Sequence, residues 1–270
     1  MSWLEISRGD APLVVSFPHT GTDIPAGIEA QFVSPWLARK DADWYVNELY
    51  GFARDLGATT IRTAISRSVI DVNRDPSGAS LYPGQATTEL CPITSFDGEP
   101  LYKAGTELST AEIDRRRAVW FTPYHVAIED ELARLKARHG KVVLYDAHSI
   151  RSVVPRLFDG ELPHFNIGTN HGKTCDPALT AAVEAACGTE FSRVTNGRFV
   201  GGWTTRHYGR PEAGFHAIQM ELACRGYLDE PADTNEKTWP VSYSPARAAK
   251  LRERLHAILS ACISFCEDRS

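Results

Sequence analysis

Short apolar runs of strand length alternate along this chain with longer stretches whose apolar residues recur at helical spacing. Leu13 to Phe17 is apolar apart from Ser16 and reads as a buried strand. Thr59 to Thr63 and Ser68 to Val72 are β-branched runs, the second ended by Asn73-Arg74-Asp75-Pro76. Lys141 to Tyr145 reads as a central strand, with Asp146-Ala147-His148-Ser149 following it, and His164 to Gly168 and Phe215 to Leu222 read as two more. Between these runs, Ser34 to Leu56 places Trp36, Leu37, Trp44, Val46, Leu49 and Phe52 at core positions of a helix that Gly57 stops. Ser109-Thr110-Ala111-Glu112 is a capping box. The helix it opens runs to His139 before Gly140, and Pro123 is expected to kink it because proline lacks an N–H. Pro177 to Cys187 reads as a helix, and Ser244-Pro245 opens a last one that reaches about Cys266.

Strands and helices in alternation predict an α/β fold, with a central mixed, mostly parallel sheet flanked by helices. The sequence has no repeat, low-complexity tract or clear linker, so residues 1–270 read as one domain. Loop insertions are expected near 77–102, rich in Gly, Pro, Ser and Thr, and near 196–211. A net charge of −5 argues against nucleic acid and anionic membranes as partners, but leaves room for a small anionic substrate met by local arginines. Six scattered cysteines without a C-x-x-C pair read as reduced thiols. The N-terminus lacks the pattern of a signal peptide, and no apolar run approaches the roughly 18 residues of a membrane span. A cytoplasmic protein is the expectation, as a monomer or small homo-oligomer.

Open α/β sheets bind ligands at the carboxyl ends of their strands. His19 and Asp23 follow the first strand, Asp146 and His148 follow another, and Glu221 lies near the end of a third. Two imidazoles and nearby carboxylates at strand ends can meet at one point, which is the donor set a catalytic zinc needs. Taken singly, each has a plainer reading as a solvated or hydrogen-bonded turn residue. Arg67, Asn73 and Arg74 surround a short apolar run and could grip a carboxylate or form surface ion pairs. Arg206, His207 and Arg210 form a cationic loop after Gly201-Gly202, able either to close over an acidic ligand or to stand as an exposed hairpin. His125, inside the long helix, reads as a packed residue.

Taken in order, FPHTGTDIP, SRSVIDVNRDP, LYDAHS, NIGTN, GGWTTRHYG and HAIQMEL resemble the N-formylglutamate amidohydrolase family from about Pro12 to Glu221. That family is similar, more distantly, to zinc carboxypeptidases and aspartoacylases, so the resemblance implies their type of fold. It implies hydrolysis of N-formyl-L-glutamate to formate and L-glutamate, the last step of a histidine degradation route. The implied cofactor is a divalent metal, zinc foremost, with cobalt, manganese or iron also compatible. By motif, His19 and His148 match the zinc histidines, and Asp71 and Asp146 would support them from behind. Asn73 and Arg74 would hold a substrate carboxylate, and Glu221 would be the general base. The family pattern has an acidic ligand three residues after His19, where this chain has Thr22; Asp23, one residue on, is the expected third ligand. Arg67 is expected to stabilise the oxyanion, Arg206 or Arg210 to hold the second carboxylate of a small dicarboxylate substrate, and His207 or His216 to orient either end. Two rival readings stay open: a deacylase for another N-acyl or N-formimino amino acid, and a non-catalytic binder of an acidic metabolite. A serine hydrolase is set aside because the chain has no G-x-S-x-G motif.

Overall fold

The computed structural model describes residues 2–80 and 84–268. Seven strands form: β1 (Leu4–Ser7), β2 (Leu13–Phe17), β3 (Thr59–Thr63), β4 (Val142–Ile150), β5 (Phe165–Gly168), β6 (Arg193–Thr195) and β7 (Phe215–Ala223). They make one sheet in the order β1-β3-β2-β4-β7-β5-β6. The pairings β2–β3, β2–β4, β4–β7 and β5–β6 are parallel, while β1–β3 and β5–β7 are antiparallel. The expected mixed, mostly parallel sheet in a single domain is therefore present. The helices are α1 (Ala26–Glu29), α2 (Val46–Leu49), α3 (Thr110–Arg116), α4 (Thr122–His139), α5 (Pro177–Ala186), α6 (Trp203–Tyr208) and α7 (Pro245–Glu267).

Side chains alternate across a strand, so β4 and β7 serve two layers at once. Val143, Tyr145 and Ala147 share one core with Ile218, Met220 and Leu222, under α5 and α7 through Leu179, Val183, Leu251, Leu255 and Ile258. Val142, Leu144 and Ala217 belong to a second core, with Ile128, Leu132 and Leu135 of α4. Each fully buried Leu or Ile stabilises the fold by about 1.5–3 kcal/mol.

Several local expectations hold. Ser109 accepts a hydrogen bond from the Glu112 N–H at 3.2 Å, as a capping box requires. A π-helical turn spans Arg117–Phe121 just before Pro123, widening the helix where proline removes a donor. Others are corrected. The stretch read as one helix from Ser34 to Leu56 is mostly turns, with α2 and a 3₁₀ turn at Gly51–Arg54. Leu37, Val46, Leu49 and Phe52 are buried and Trp36 and Trp44 half-buried, but the Asp43 N–H bonds to the His19 carbonyl at 2.9 Å and so leaves the helical ladder. Ser68 to Val72 forms a turn, because Ser66 and Asp71 capture the N–H groups of Ser68 and Asn73. β4 and β7 run on to Ile150 and Ala223, so Asp146, His148 and Glu221 sit within strands rather than on turns beyond them. The segment read as a loop near 196–211 contains α6. Residues 81–83 of the loop expected at 77–102 lie outside the described residues. Among those described, no helix is long and apolar enough to cross a membrane, and all six cysteines are free and buried.

Candidate metal centre and active site

On the α4 side of β4 and β7 the apolar pattern gives way to polar residues towards the carboxyl ends. Asp146 and His148 of β4 pair in register with Gln219 and Glu221 of β7. Strand alternation puts all four side chains on that face. From the neighbouring β2, the Ser16 hydroxyl donates to Asp146, and the turn after β2 delivers His19. Asp43 arrives from the segment before α2, fixed by its bond to the His19 carbonyl. His19, Asp43, His148 and Glu221 are all buried.

Two imidazoles converge on one carboxylate. Nδ1 of His148 lies 3.0 Å, and Nδ1 of His19 3.8 Å, from Asp43 Oδ2. The far nitrogens are each held from behind: His19 Nε2 donates to Asp71 Oδ1 at 2.6 Å, and His148 Nε2 to Asp146 Oδ2 at 3.0 Å. Asp71 and Asp146 behind the rings place each Nδ1 on the Asp43 side, the arrangement that orients metal-binding histidines; Nδ1 of His19 also meets Arg67 Nη1 at 3.1 Å, and Nε2 of His148 meets the Asn73 amide at 2.9 Å. Asp43 Oδ1 is buried with no hydrogen-bond partner among the described residues, and Arg67 Nη1 stands 4.0 Å from it. A buried carboxylate oxygen left unmatched is costly. A divalent cation among the two Nδ1 atoms and Asp43 would relieve that cost, and two nitrogens with one oxygen are ligands zinc accepts. The residues present therefore fit a metal.

The electrostatics agree. Burial pushes His19 down to about 4, with Arg67 adding to the effect and Asp71 and Asp43 opposing it. Burial pushes His148 down as well, but the Asp146 and Asp43 carboxylates outweigh it and raise the ring well above its ordinary value. The carboxylates thus favour positive charge at His148, while burial and Arg67 keep His19 neutral. Burial lifts Glu221 to about 7; His148 and Arg67 pull it down, and Asp43 and Asp146 push it up. For Asp71, burial works upward, yet Arg74, His19 and Arg67 together hold it well below the usual carboxylate range.

Arg67 is buried, donating to Asp71 Oδ2 at 2.7 Å and resting 4.7 Å from the centre of the Phe96 ring. Asn73 donates to Asp146 Oδ2 at 3.1 Å and accepts from the Thr204 N–H at 2.9 Å, which ties the start of α6 to the site. Gly202 lies so close that a Cβ there would be 2.5 Å from the Asn73 amide, so the glycine serves close approach and not a hinge. Arg74 bonds the Thr88 carbonyl and hydroxyl and lies 3.6 Å from Asp71. His19, Arg67, Asn73, Arg74, His148 and Glu221 all line one small cavity of about 60 Å³ that opens to solvent.

The other expected site residues are placed elsewhere. Asp23 is exposed, because the chain beyond His19 runs along Ala64 and Ile65 and pairs with them through backbone bonds. Asp43 takes the place beside the histidines. On α6 the buried positions are Thr204, Thr205 and Tyr208, which leaves Arg206, His207 and Arg210 outside the cavity lining. The Arg206 Nε–H bonds the Gly201 carbonyl, His207 stacks on Trp203, and Arg210 lies over Phe215. His216 faces the opposite side of β7 against Phe265, and His125 is a packed histidine whose Nε2 donates to the Val72 carbonyl at 2.7 Å. Sequence reasoning missed Asp43, which meets the histidines, and Gln219 and Arg198, which line the cavity. Asp41 and Asp43 interrupt the apolar spacing of the supposed helix, and Gln219 shares the strand parity of Glu221; both were signals. Arg198, in Gly197-Arg198-Phe199, carried none.

Comparison with known proteins bears on this geometry. The model of the N-formylglutamate amidohydrolase family matches residues 11–228, a span that holds His19, Asp43, His148 and Glu221. An N-formylglutamate deformylase of Pseudomonas aeruginosa is 48% identical over 259 residues, covering 95% of this chain and 96% of that protein. One from Pseudomonas putida is 41% identical over 268 residues, covering 98% and 97%. In fold, the chain is similar to the crystal structure of an N-formylglutamate amidohydrolase from Ralstonia eutropha JMP134. The TM-score is 0.77 at 24% identity, over 99% of this chain and 98% of that one. A gene product of Agrobacterium tumefaciens gives a TM-score of 0.70 at 18% identity, over 98% and 96%. The chain belongs to the N-formylglutamate amidohydrolase family, and it is an amidohydrolase.

Proposed function

We propose that this protein is a metal-dependent N-formylglutamate deformylase, hydrolysing N-formyl-L-glutamate to formate and L-glutamate. The observation that carries this reading is the buried meeting of His19, Asp43 and His148 beside Glu221, at the wall of a cavity lined by arginines. The names of the two Pseudomonas relatives support the substrate. A divalent cation held by His19, His148 and Asp43 would supply Lewis acidity towards the formyl oxygen and a water; zinc suits the donors best, and cobalt, manganese and iron also bind such sets.

The chain's own residues do the rest. Glu221, lifted towards neutrality, accepts the proton of the attacking water and returns it to the leaving amine nitrogen. Gln219 donates to Glu221 Oε2 at 3.1 Å and so fixes the orientation of that carboxyl group. Arg67, clamped by Asp71 and Phe96, stabilises the negative charge that develops on the formyl oxygen. Arg74 holds a substrate carboxylate, while Asn73, committed to Asp146 and Thr204, braces the wall next to it. With this substrate the reaction would close a histidine degradation route, and free, buried thiols suit a cytoplasmic setting.

The test is formate release from N-formyl-L-glutamate by the purified protein, again after chelation, and again after return of zinc or cobalt. Release that chelation abolishes and metal restores is the expected result. Release that is indifferent to chelation would remove the metal from the reading. No release at all would move the substrate to another N-acyl amino acid.

A further inference from the structure

A dicarboxylate substrate brings two negative charges into the cavity, and Arg74 answers one of them. Arg67 is engaged at the reacting end by Asp71 and His19. Arg206 and Arg210, the cations that the sequence offered for the second charge, are not in the cavity wall. Arg198 is.

The setting of Arg198 is built rather than incidental. The short loop carrying it leaves β6 and is pinned to the end of β5 on both sides. Asn196 exchanges bonds with the N–H and hydroxyl of Thr169 at 2.9 Å each, and the Val200 carbonyl accepts from the Asn170 N–H at 2.6 Å. The guanidinium itself donates from Nε to the Leu157 carbonyl at 2.6 Å and from Nη2 to the Ala86 carbonyl at 3.0 Å. Those two carbonyl bonds orient the planar fork. Its plane lies against Phe199, with 5.3 Å to the ring centre.

Distance also fits. Ile150 lines the same cavity two residues beyond His148 on β4, a step of about 7 Å along a strand. Leu157, the carbonyl anchor of Arg198, lines the same cavity. In N-formylglutamate five bonds separate the formyl carbon from the side-chain carboxyl carbon, an extended reach of about 6 Å. A formyl group beside His148 would send that carboxylate past Ile150 towards Arg198.

We propose that Arg198 recognises the side-chain carboxylate of the substrate and so makes the cavity selective for N-formyl dicarboxylic amino acids over N-formyl amino acids with neutral side chains. This rests on the deformylase reading above. The test compares kcat/KM for N-formyl-L-glutamate and for N-formyl-L-norvaline, which has a side chain of similar length and no second carboxylate. In R198M the ratio of the two is expected to fall about 100-fold, the worth of a lost charged hydrogen-bonding partner. R198K, which keeps the charge, should recover part of it. R210M, altered on the outer surface, should keep the wild-type ratio, and R74M should lose rate on both substrates alike because both carry the α-carboxylate. A ratio unmoved in R198M, or an equal loss on both substrates, overturns the assignment of Arg198 while the deformylase reading stands. A metal-loaded wild type that releases no formate from N-formyl-L-glutamate overturns the reading itself, and this inference with it.

Discussion

The two faces of β4 and β7 share one backbone and divide its duties. On the face towards α5 and α7, Val143, Tyr145, Ala147, Ile218, Met220 and Leu222 are apolar or hydrogen-bonded within the core. On the other face the same strands carry Val142, Leu144 and Ala217, then Asp146, His148, Gln219 and Glu221, and close on Ile150 and Ala223. One face holds the sheet to its helices. The other carries the buried polar cluster towards its carboxyl end. Reactive groups mounted on a central strand gain rigidity from the packed face behind them, which is what a pre-organised site requires.

That division can be broken from either side. The largest effect is expected from Glu221→Gln, which should lower kcat about a thousandfold while leaving metal content and thermal midpoint near wild type. Unaltered turnover would remove Glu221 from proton transfer. Asp71→Asn, behind His19, should weaken metal affinity about 10- to 100-fold as read by metal titration, because the imidazole loses the partner that fixes its proton. Leu255→Ala, beneath the packed face, should cost about 3 kcal/mol in denaturant unfolding with kcat per folded molecule little changed. A large kcat loss there would show that the two faces are coupled. The smallest effect is expected from Asp23→Ala: bound metal per chain should stay at the wild-type level, since Asp23 is exposed and outside the cluster, and depleted metal would bring it back as a ligand.

What the sequence made legible were features with a local cause. β2 and β3 follow from their apolar and β-branched runs, the start of α3 from Ser109 and Glu112, and the disturbance before α4 from Pro123. His19, His148 and Glu221 were legible because each rides on or just after a strand with a clear pattern. Asp43 was not, since its place depends on a tertiary bond to His19, and the apolar residues around it imitate a helix. α6 was hidden for a related reason. Its glycines read as a flexible lead-in, whereas Gly202 is there to admit Asn73. Arg198 depends on contacts to Leu157 and Ala86, both distant in sequence.

The hydrogen bond from the Asp43 N–H to the His19 carbonyl has a consequence for the chain between those two residues. Residues 20–42 leave the site and return to it at that one bond, so they form an excursion whose ends are tied together. Lengthening or shortening such a loop changes its closure entropy only slowly. Closure of the interval between these two residues therefore sets little limit on its length, and the limit comes from what it buries, because Ile28, Phe32, Leu37 and Ala38 all belong to the second core. A change of length there would be felt first in that packing and only then at the bond that ties its ends.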